Sequence, residues 1–190
     1  MSFKQSTFPN AWKSAVVVPI FKAGEPTGVK NYRPISILPV VSKIAEKVVA
    51  EQLTDFLNSG QDSLHPMQFG FRKNHSTEMA TCYLFEKIKT NIDSGSAVCA
   101  VFLDLNKAFD TVNHSVLLSK VSNFNLSVET MKWMETYLSG RKQCIRVGDR
   151  TSSFIGCSVG LTQGYILGPL LFSLYVNYPP LECPEVDTQR

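Results

Sequence analysis

The sequence predicts an α+β fold in which helices pack on one face of a mostly antiparallel sheet. The order of the elements supports this class, because a mostly helical first half is followed by a strand, two helices, a hairpin, a loop and a last helix. The pair Gly148-Asp149 between two short apolar runs is typical of a β-hairpin turn. The 190 residues are 44% hydrophobic and 18% charged, a composition that can bury a core.

Charge and cysteine content limit the class of protein. A net charge of +3 is too small to establish a nucleic-acid partner by itself. The five cysteines are scattered and form no CxxC pair, which predicts reduced thiols in an intracellular compartment rather than disulfides or zinc. The apolar residues 165–176 are too few to cross a bilayer and include Gly168-Pro169, so we expect no membrane partner.

Extended segments and helices share the first 95 residues. Strands or extended segments are predicted at residues 14–21 and 31–39, and helices at residues 40–57 and 76–92. Two prolines exclude a helix over residues 31–39, so Arg33 should project from an extended chain. In the first helix, the apolar residues that roughly keep helical spacing are Val41, Ile44, Val48, Leu53 and Phe56.

An apolar run opens the second half of the chain. Residues 97–103 predict a central strand, buried on both faces and ending at Asp104. The later elements are predicted as helices at residues 114–124 and 127–138, strands at 142–147 and 151–159, a loop at 160–164 and a helix at 167–177.

Asp104 is the first candidate for chemistry. A carboxylate at the end of a buried strand is costly unless it is paired or holds a metal, although Asp104 could instead cap a helix starting near Lys107. The backbone carbonyl of Leu105 would add an oxygen ligand of the kind that Mg²⁺ prefers. Phe109 could line a sugar pocket or simply pack in the core. Asp110 is more typical of a cap or a salt bridge.

Basic residues supply the second group of candidates. Arg33 and Arg72 lie in segments bounded by glycine or proline, where they could bind phosphate or remain solvated surface charges. On the predicted hairpin, Arg141, Lys142 and Arg146 could contact a nucleic-acid backbone, or form a solvated face.

Four motifs give the chain a family resemblance. They are residues 31–36 (NYRPIS), 68–72 (QFGFR), 102–110 (FLDLNKAFD) and 164–169 (GYILGP). In this order and spacing they resemble the reverse transcriptase domain of non-LTR, LINE-type retrotransposons. The resemblance covers about residues 15–190.

The resemblance implies a right-hand polymerase fold, with a fingers-like region at residues 1–95 and part of the palm at residues 96–190. It also implies metal-dependent nucleotidyl transfer, with Mg²⁺, an RNA template, a DNA primer and deoxynucleotide triphosphates. In this family the residue matching Asp104 is the first metal-binding aspartate, and the one matching Phe109 excludes a 2′-hydroxyl. The residue matching Arg33 reaches the triphosphate, while the one matching Gln163 helps position the nucleotide and template. Gly164 is a further candidate for nucleotide binding, because a glycine beside Gln163 would let the backbone pass close to a ligand.

The chain departs from the family pattern at several positions. Thr162 replaces a proline, and Tyr165 replaces a small serine and could intrude on the nucleotide pocket. Asn177-Tyr178 stands for the usual Asn-Asp, and the Tyr-x-Asp-Asp hairpin is missing, a loss that Asp187 is not expected to repair. Because two-metal catalysis needs several carboxylates, we expect this chain to be inactive as it stands. The alternatives are a non-catalytic relic that binds nucleic acid, or a fragment that does not fold alone.

Overall fold

The computed structural model describes residues 2–59, 64–161 and 164–177. These residues form a mixed α/β structure with a five-stranded sheet and five α-helices. The strands are β1 (Ser14–Phe21), β2 (Tyr32–Ile37), β3 (Arg141–Val147), β4 (Arg150–Thr151) and β5 (Ile155–Cys157). The helices are α1 (Val40–Ser59), α2 (Thr77–Asp93), α3 (His114–Ser122), α4 (Val128–Leu138) and α5 (Gly168–Val176).

The sheet joins strands from both halves of the chain. β1 pairs antiparallel with β2 and parallel with β3, while β4 and β5 both pair antiparallel with β3. Three of these four pairings are antiparallel, so the prediction of a mostly antiparallel sheet is confirmed for the described residues. The division into fingers and palm stays a prediction.

Local signals in the sequence explain where the helices begin. The side chain of Ser76 caps α2, that of Asn113 caps α3 and that of Ser127 caps α4 by accepting backbone N–H groups of the first turn. Pro169 lies in the first turn of α5, where its missing N–H costs nothing. None of the helices in the described part of the chain is long and apolar enough to cross a membrane.

The main core lies between α1, α3, α4 and α5. On α1 the buried apolar residues are Ala45, Val49, Leu53 and Leu57. Of the five apolar residues noted for their helical spacing, Leu53 is buried, whereas Val41, Ile44, Val48 and Phe56 are exposed. Both faces of α1 are apolar, so spacing alone could not identify the face that packs.

The predicted central strand at residues 97–103 is wrong. These residues form no strand, and all of residues 97–107 are exposed, with Leu103 at 89%. The physical reason is the lack of a partner, since none of the described strands pairs with this run and an isolated strand leaves its backbone groups unbonded. The preceding helix α2 likewise has no buried residue.

Candidate functional site

The segment that follows Asp104 is bonded to the loop before α5. The Leu161 N–H donates to the Phe109 carbonyl at 2.8 Å, and the Gly160 N–H donates to the Val112 carbonyl at 2.8 Å. Gly160 has a φ of +86°, and a Cβ there would lie 2.8 Å from the Asp110 carbonyl oxygen. Only glycine allows this close approach, so Gly160 fixes the contact between the motif at residues 102–110 and the loop before α5.

A second glycine brings the same loop against β2. Gly164 has a φ of +112°, and a Cβ there would lie 2.5 Å from the carbonyl oxygen of Ser36. Ser36 belongs to the motif at residues 31–36 and is buried, whereas Gly164 itself is exposed. The first and fourth motifs therefore meet through their backbones.

The motif at residues 68–72 packs on α5 and on Phe109. The side-chain amide of Gln68 donates to the Ser173 carbonyl at 3.0 Å. Phe109 stacks on Phe172 with ring centroids 4.4 Å apart, and Phe71 meets Phe109 edge to face at 5.7 Å. Phe109 is half-buried and contacts the core, so both of its interpretations, core packing and a pocket wall, remain compatible with its position.

Arg72 and Arg33 have different surroundings. The Arg72 guanidinium donates through Nη1 to the His65 carbonyl at 3.1 Å and is half-buried. Arg33 is exposed on β2, opposite Ile20 of β1. Because Arg33 and Ser36 are three residues apart on one strand, they lie on opposite faces of the sheet.

Arg141 is buried, which contradicts its predicted role in nucleic-acid binding. Its guanidinium carbon lies 4.0 Å from the ring centroid of Tyr137 and 4.4 Å from that of Tyr165. Its Nε donates to the Tyr137 carbonyl at 2.6 Å. A cation stacked between aromatic rings is stabilised by about 2 kcal/mol when it is desolvated. The hairpin position predicted an exposed residue, but this stacking draws the side chain into the core.

Tyr165 occupies the same cluster. It is 7% exposed and packs with Ala15 and Leu38. The expectation that its ring could intrude on a nucleotide pocket is therefore wrong, because the ring enters the core and stacks on Arg141.

Burial shifts the titration of two neighbours of Arg141. Burial raises the pKa of Tyr137 well above its usual value, an effect that Arg141 partly offsets and that the Glu46 carboxylate reinforces. Burial, and secondly the charge of Arg141, lowers the pKa of Lys13 below its usual value. Across the described ranges, neither the Tyr137 hydroxyl nor Nη1 and Nη2 of Arg141 have a hydrogen-bond partner.

Lys142 and Arg146 lie on the other face of the sheet and are exposed. Lys142 aligns with Ser14 of β1, and Arg33 aligns with Ile20, six residues further along the same strand. Since side chains alternate along a strand, all three basic residues lie on this second face, which we call the outer face. At about 3.3 Å per residue, Arg146 lies about 13 Å from Lys142 along β3.

Asp104 makes no hydrogen bond or ion pair with any residue that the structure describes, and it neither ends a strand nor caps a helix. Leu105 is 63% exposed. Within residues 2–59, 64–161 and 164–177, no three His, Cys, Asp or Glu side chains come close enough together to hold a metal ion. The described residues therefore do not fit the Mg²⁺ centre that the resemblance implies, and we derive no metal-dependent step from them.

Two further residues complete the comparison with the sequence. Gln163 lies outside the described residues. Glu46, which no motif identified, is fully buried on α1 and contacts the loop before α5. One signal in the sequence could have identified Glu46, namely its position on the buried stripe of α1, three residues before Val49. An acid among core positions must have polar partners.

Comparison with known proteins supports the family resemblance that the four motifs indicate. The sequence matches the family described as reverse transcriptase (RNA-dependent DNA polymerase) over residues 20–186. Similar proteins include a probable RNA-directed DNA polymerase from transposon BS of Drosophila melanogaster, 36% identical over 93% of this chain and 19% of the relative. Another is the RNA-directed DNA polymerase from mobile element jockey of Drosophila melanogaster, 32% identical over 96% of this chain and 20% of the relative.

A third relative comes from Popillia japonica. The Pol polyprotein of the type-1 retrotransposable element R2 of Popillia japonica is 28% identical over 89% of this chain and 23% of the relative. The chain thus spans about a fifth of the length of these curated relatives. Because the family match covers most of its residues, the chain belongs to the reverse transcriptase (RNA-dependent DNA polymerase) family.

Proposed function

We propose that this chain forms the nucleotide- and template-facing part of an RNA-directed DNA polymerase. Its substrates would be an RNA template, a DNA primer and deoxynucleotide triphosphates. The fingers would lie within residues 1–95 and part of the palm within residues 96–190. In this proposal Arg33 and Arg72 serve the triphosphate, Phe109 the sugar, and Gln163 with Gly164 the placement of the nucleotide.

The convergence of the four motifs is the observation that carries the proposal. Gly164 contacts Ser36, Gly160 contacts Asp110, and Gln68 bonds to α5. Residues that are far apart in sequence are thus gathered around the loop that precedes α5.

The outer face supports template binding. It presents Lys142 and Arg146 together with exposed Ile20 and Ile37, and the described strand residues that share this face include no acid. Positive side chains at such spacing can neutralise phosphates without reading the base sequence. Arg141 is excluded from this surface because it is buried.

A salt titration tests template binding directly. We expect the 190-residue chain to bind single-stranded RNA or DNA weakly, with little sequence preference and with affinity that falls steeply as salt rises. Each phosphate that a protein neutralises on a single strand adds about 0.7 to the salt slope, so the double variant Lys142→Ala and Arg146→Ala should reduce the slope by about 1.4. Fluorescence anisotropy with labelled oligonucleotides measures both slopes.

The matched control removes two exposed lysines from α2, Lys87→Ala with Lys89→Ala, and should leave the slope unchanged beyond a small effect of net charge. Equal slopes for the parent chain and the Lys142 and Arg146 variant would contradict the binding face.

We further propose that the 190-residue chain does not extend a primer by itself. Asp104 is the one acid among the described residues to which the resemblance gives a metal-binding role, and Mg²⁺ binds weakly to a lone carboxylate because it retains several waters. An assay with Mg²⁺, primed RNA and all four deoxynucleotides should show no extension above background. Extension that disappears in Asp104→Ala would overturn this proposal and point to Asp110 as a second acid.

A further inference from the structure

Glu46 is a fully buried acid that lies outside the four family motifs. Its Oε2 accepts the backbone N–H of Ile166 at 2.8 Å and that of Leu167 at 3.3 Å. Its Oε1 accepts the Ser42 hydroxyl at 3.2 Å. A carboxylate out of contact with water is costly unless such donors surround it, so these three bonds account for its burial.

The two amides that Glu46 binds are those at the start of α5. The N-cap residue of this helix is Leu167, which has no polar side chain to cap the first turn. Glu46 accepts the amides of this N-cap residue and of the residue before it, and so anchors the entry into α5 from α1, more than a hundred residues away in sequence. The negative carboxylate also lies where the helix dipole favours it.

Other contacts hold the same segment from two further sides. The backbone of Gly164 rests against the Ser36 carbonyl of β2. The ring of Tyr165 lies on the guanidinium of Arg141, which β3 supplies. The contacts of Glu46 differ from these two, because they are hydrogen bonds to the backbone amides of Ile166 and Leu167.

We propose that Glu46 is a positioning residue, whose carboxylate fixes the backbone of residues 164–167. This segment follows Gln163 directly, so its geometry would set that of the nucleotide-facing loop. The functional meaning of this role rests on the proposed polymerase function, whereas the positioning itself is a property of the chain that can be measured without nucleotide.

The test separates the reach of the side chain from its charge. Glu46→Gln keeps the reach and removes the charge, Glu46→Asp keeps the charge but is one methylene too short, and Glu46→Ala removes both. Glu51→Gln is the matched control, since Glu51 lies on the same helix with its side chain largely exposed. Val49→Ala is a second control that lowers core stability and keeps all three hydrogen bonds of the Glu46 carboxylate.

Amide hydrogen exchange followed by NMR gives the readout in the 190-residue chain. Loss of a hydrogen bond to a charged group should speed exchange at Ile166 and Leu167 roughly 10- to 100-fold, beyond any change in global stability. We expect the full effect in Glu46→Ala and Glu46→Asp, and a smaller effect in Glu46→Gln. The Ile166 amide proton should also move upfield in Glu46→Ala.

The result that would overturn the inference is exchange at Ile166 and Leu167 that changes only with global stability, as in Val49→Ala. The Glu46→Gln variant keeps the test decisive if Glu46→Ala does not fold. Oligonucleotide binding by Lys142 and Arg146 should be equal in Glu46→Gln and the parent chain. Failure of the proposed function would appear as absent salt-dependent binding in the parent chain, whereas failure of this inference would appear as unchanged amide exchange.

Discussion

Residues 14–21 and residues 97–105 are both apolar runs rich in valine and other β-branched or aromatic residues. The first is β1, which pairs with β2 on one side and β3 on the other and buries Ala15 and Val17. The second forms no strand and exposes its apolar side chains, with Val101 at 76%. Both runs are mainly apolar, but only the first finds partners for its backbone.

The same difference separates two parts of the candidate site, the loop before α5 and Asp104. The loop before α5 belongs to the packed region, where two glycines, Glu46 and Arg141 hold it. Asp104 belongs to the unpaired run, where no described residue holds its side chain. Residues 160–161 and 164–167 are therefore held in place by other described residues, while Asp104 is not.

Proline substitution in the two runs should show the largest contrast. Val17→Pro removes a ladder hydrogen bond in a central strand and a buried side chain, and should lower the free energy of unfolding by at least about 3 kcal/mol. Val101→Pro should change it by less than about 0.5 kcal/mol, because no ladder exists there. Urea unfolding followed by circular dichroism compares them. Similar losses from both substitutions would contradict the difference between the runs.

Replacing one glycine by alanine in each of two family motifs should have an effect of intermediate size on stability. Gly164→Ala places a Cβ against the Ser36 carbonyl at a positive φ, and should cost about 1–3 kcal/mol. Gly70→Ala meets no atom within 4 Å and should be close to neutral. Thermal unfolding of the two variants measures the contrast. A neutral Gly164→Ala would mean that the loop does not rest on β2.

The smallest effect is expected at Lys13, which lies in the packed region beside Arg141. Its folded-state pKa is lowered, so between that value and the unfolded value of 10.5 the unfolded chain binds more protons and stability rises with pH. Lys13→Met should abolish this rise and add less than about 1 kcal/mol of stability at neutral pH. Urea unfolding in steps from about pH 7 up to the unfolded value of 10.5 tests this. An equal rise of stability with pH in the parent chain and in Lys13→Met would mean that a group other than Lys13 titrates.

Helices and locally paired strands could be predicted from the sequence, because their signals are local. Caps such as Ser76 and Ser127 and apolar spacing identify α2 and α4 without reference to the rest of the chain. The fate of residues 97–103 could not be predicted in this way, since a strand exists only when another strand pairs with it. Both runs are mainly apolar, and the signal that separates them is their β-branched content, four residues of eight in 14–21 against two of nine in 97–105.

The part of the candidate site that lies in the family motifs could be predicted from the sequence. The contacts of long side chains that turn into the core could not. Arg141 lies on a predicted hairpin strand, and both solvent and core are open to a side chain of that length. Its stacking depends on Tyr137, which belongs to α4, and on Tyr165, which belongs to the loop before α5. Neither partner lies on the strand that carries Arg141. Glu46 is a similar case, because its partners are backbone amides on another helix.

Hydrogen exchange of the 190-residue chain tests the central contrast most directly. Mass spectrometry of peptides covering residues 14–21 and residues 97–105 compares the two runs in one experiment. We predict strong protection of β1, close to that expected from global unfolding, and exchange of residues 97–105 within about tenfold of an unstructured peptide. Comparable protection in both peptides would contradict the account, because it would mean that the run bearing Asp104 is paired after all.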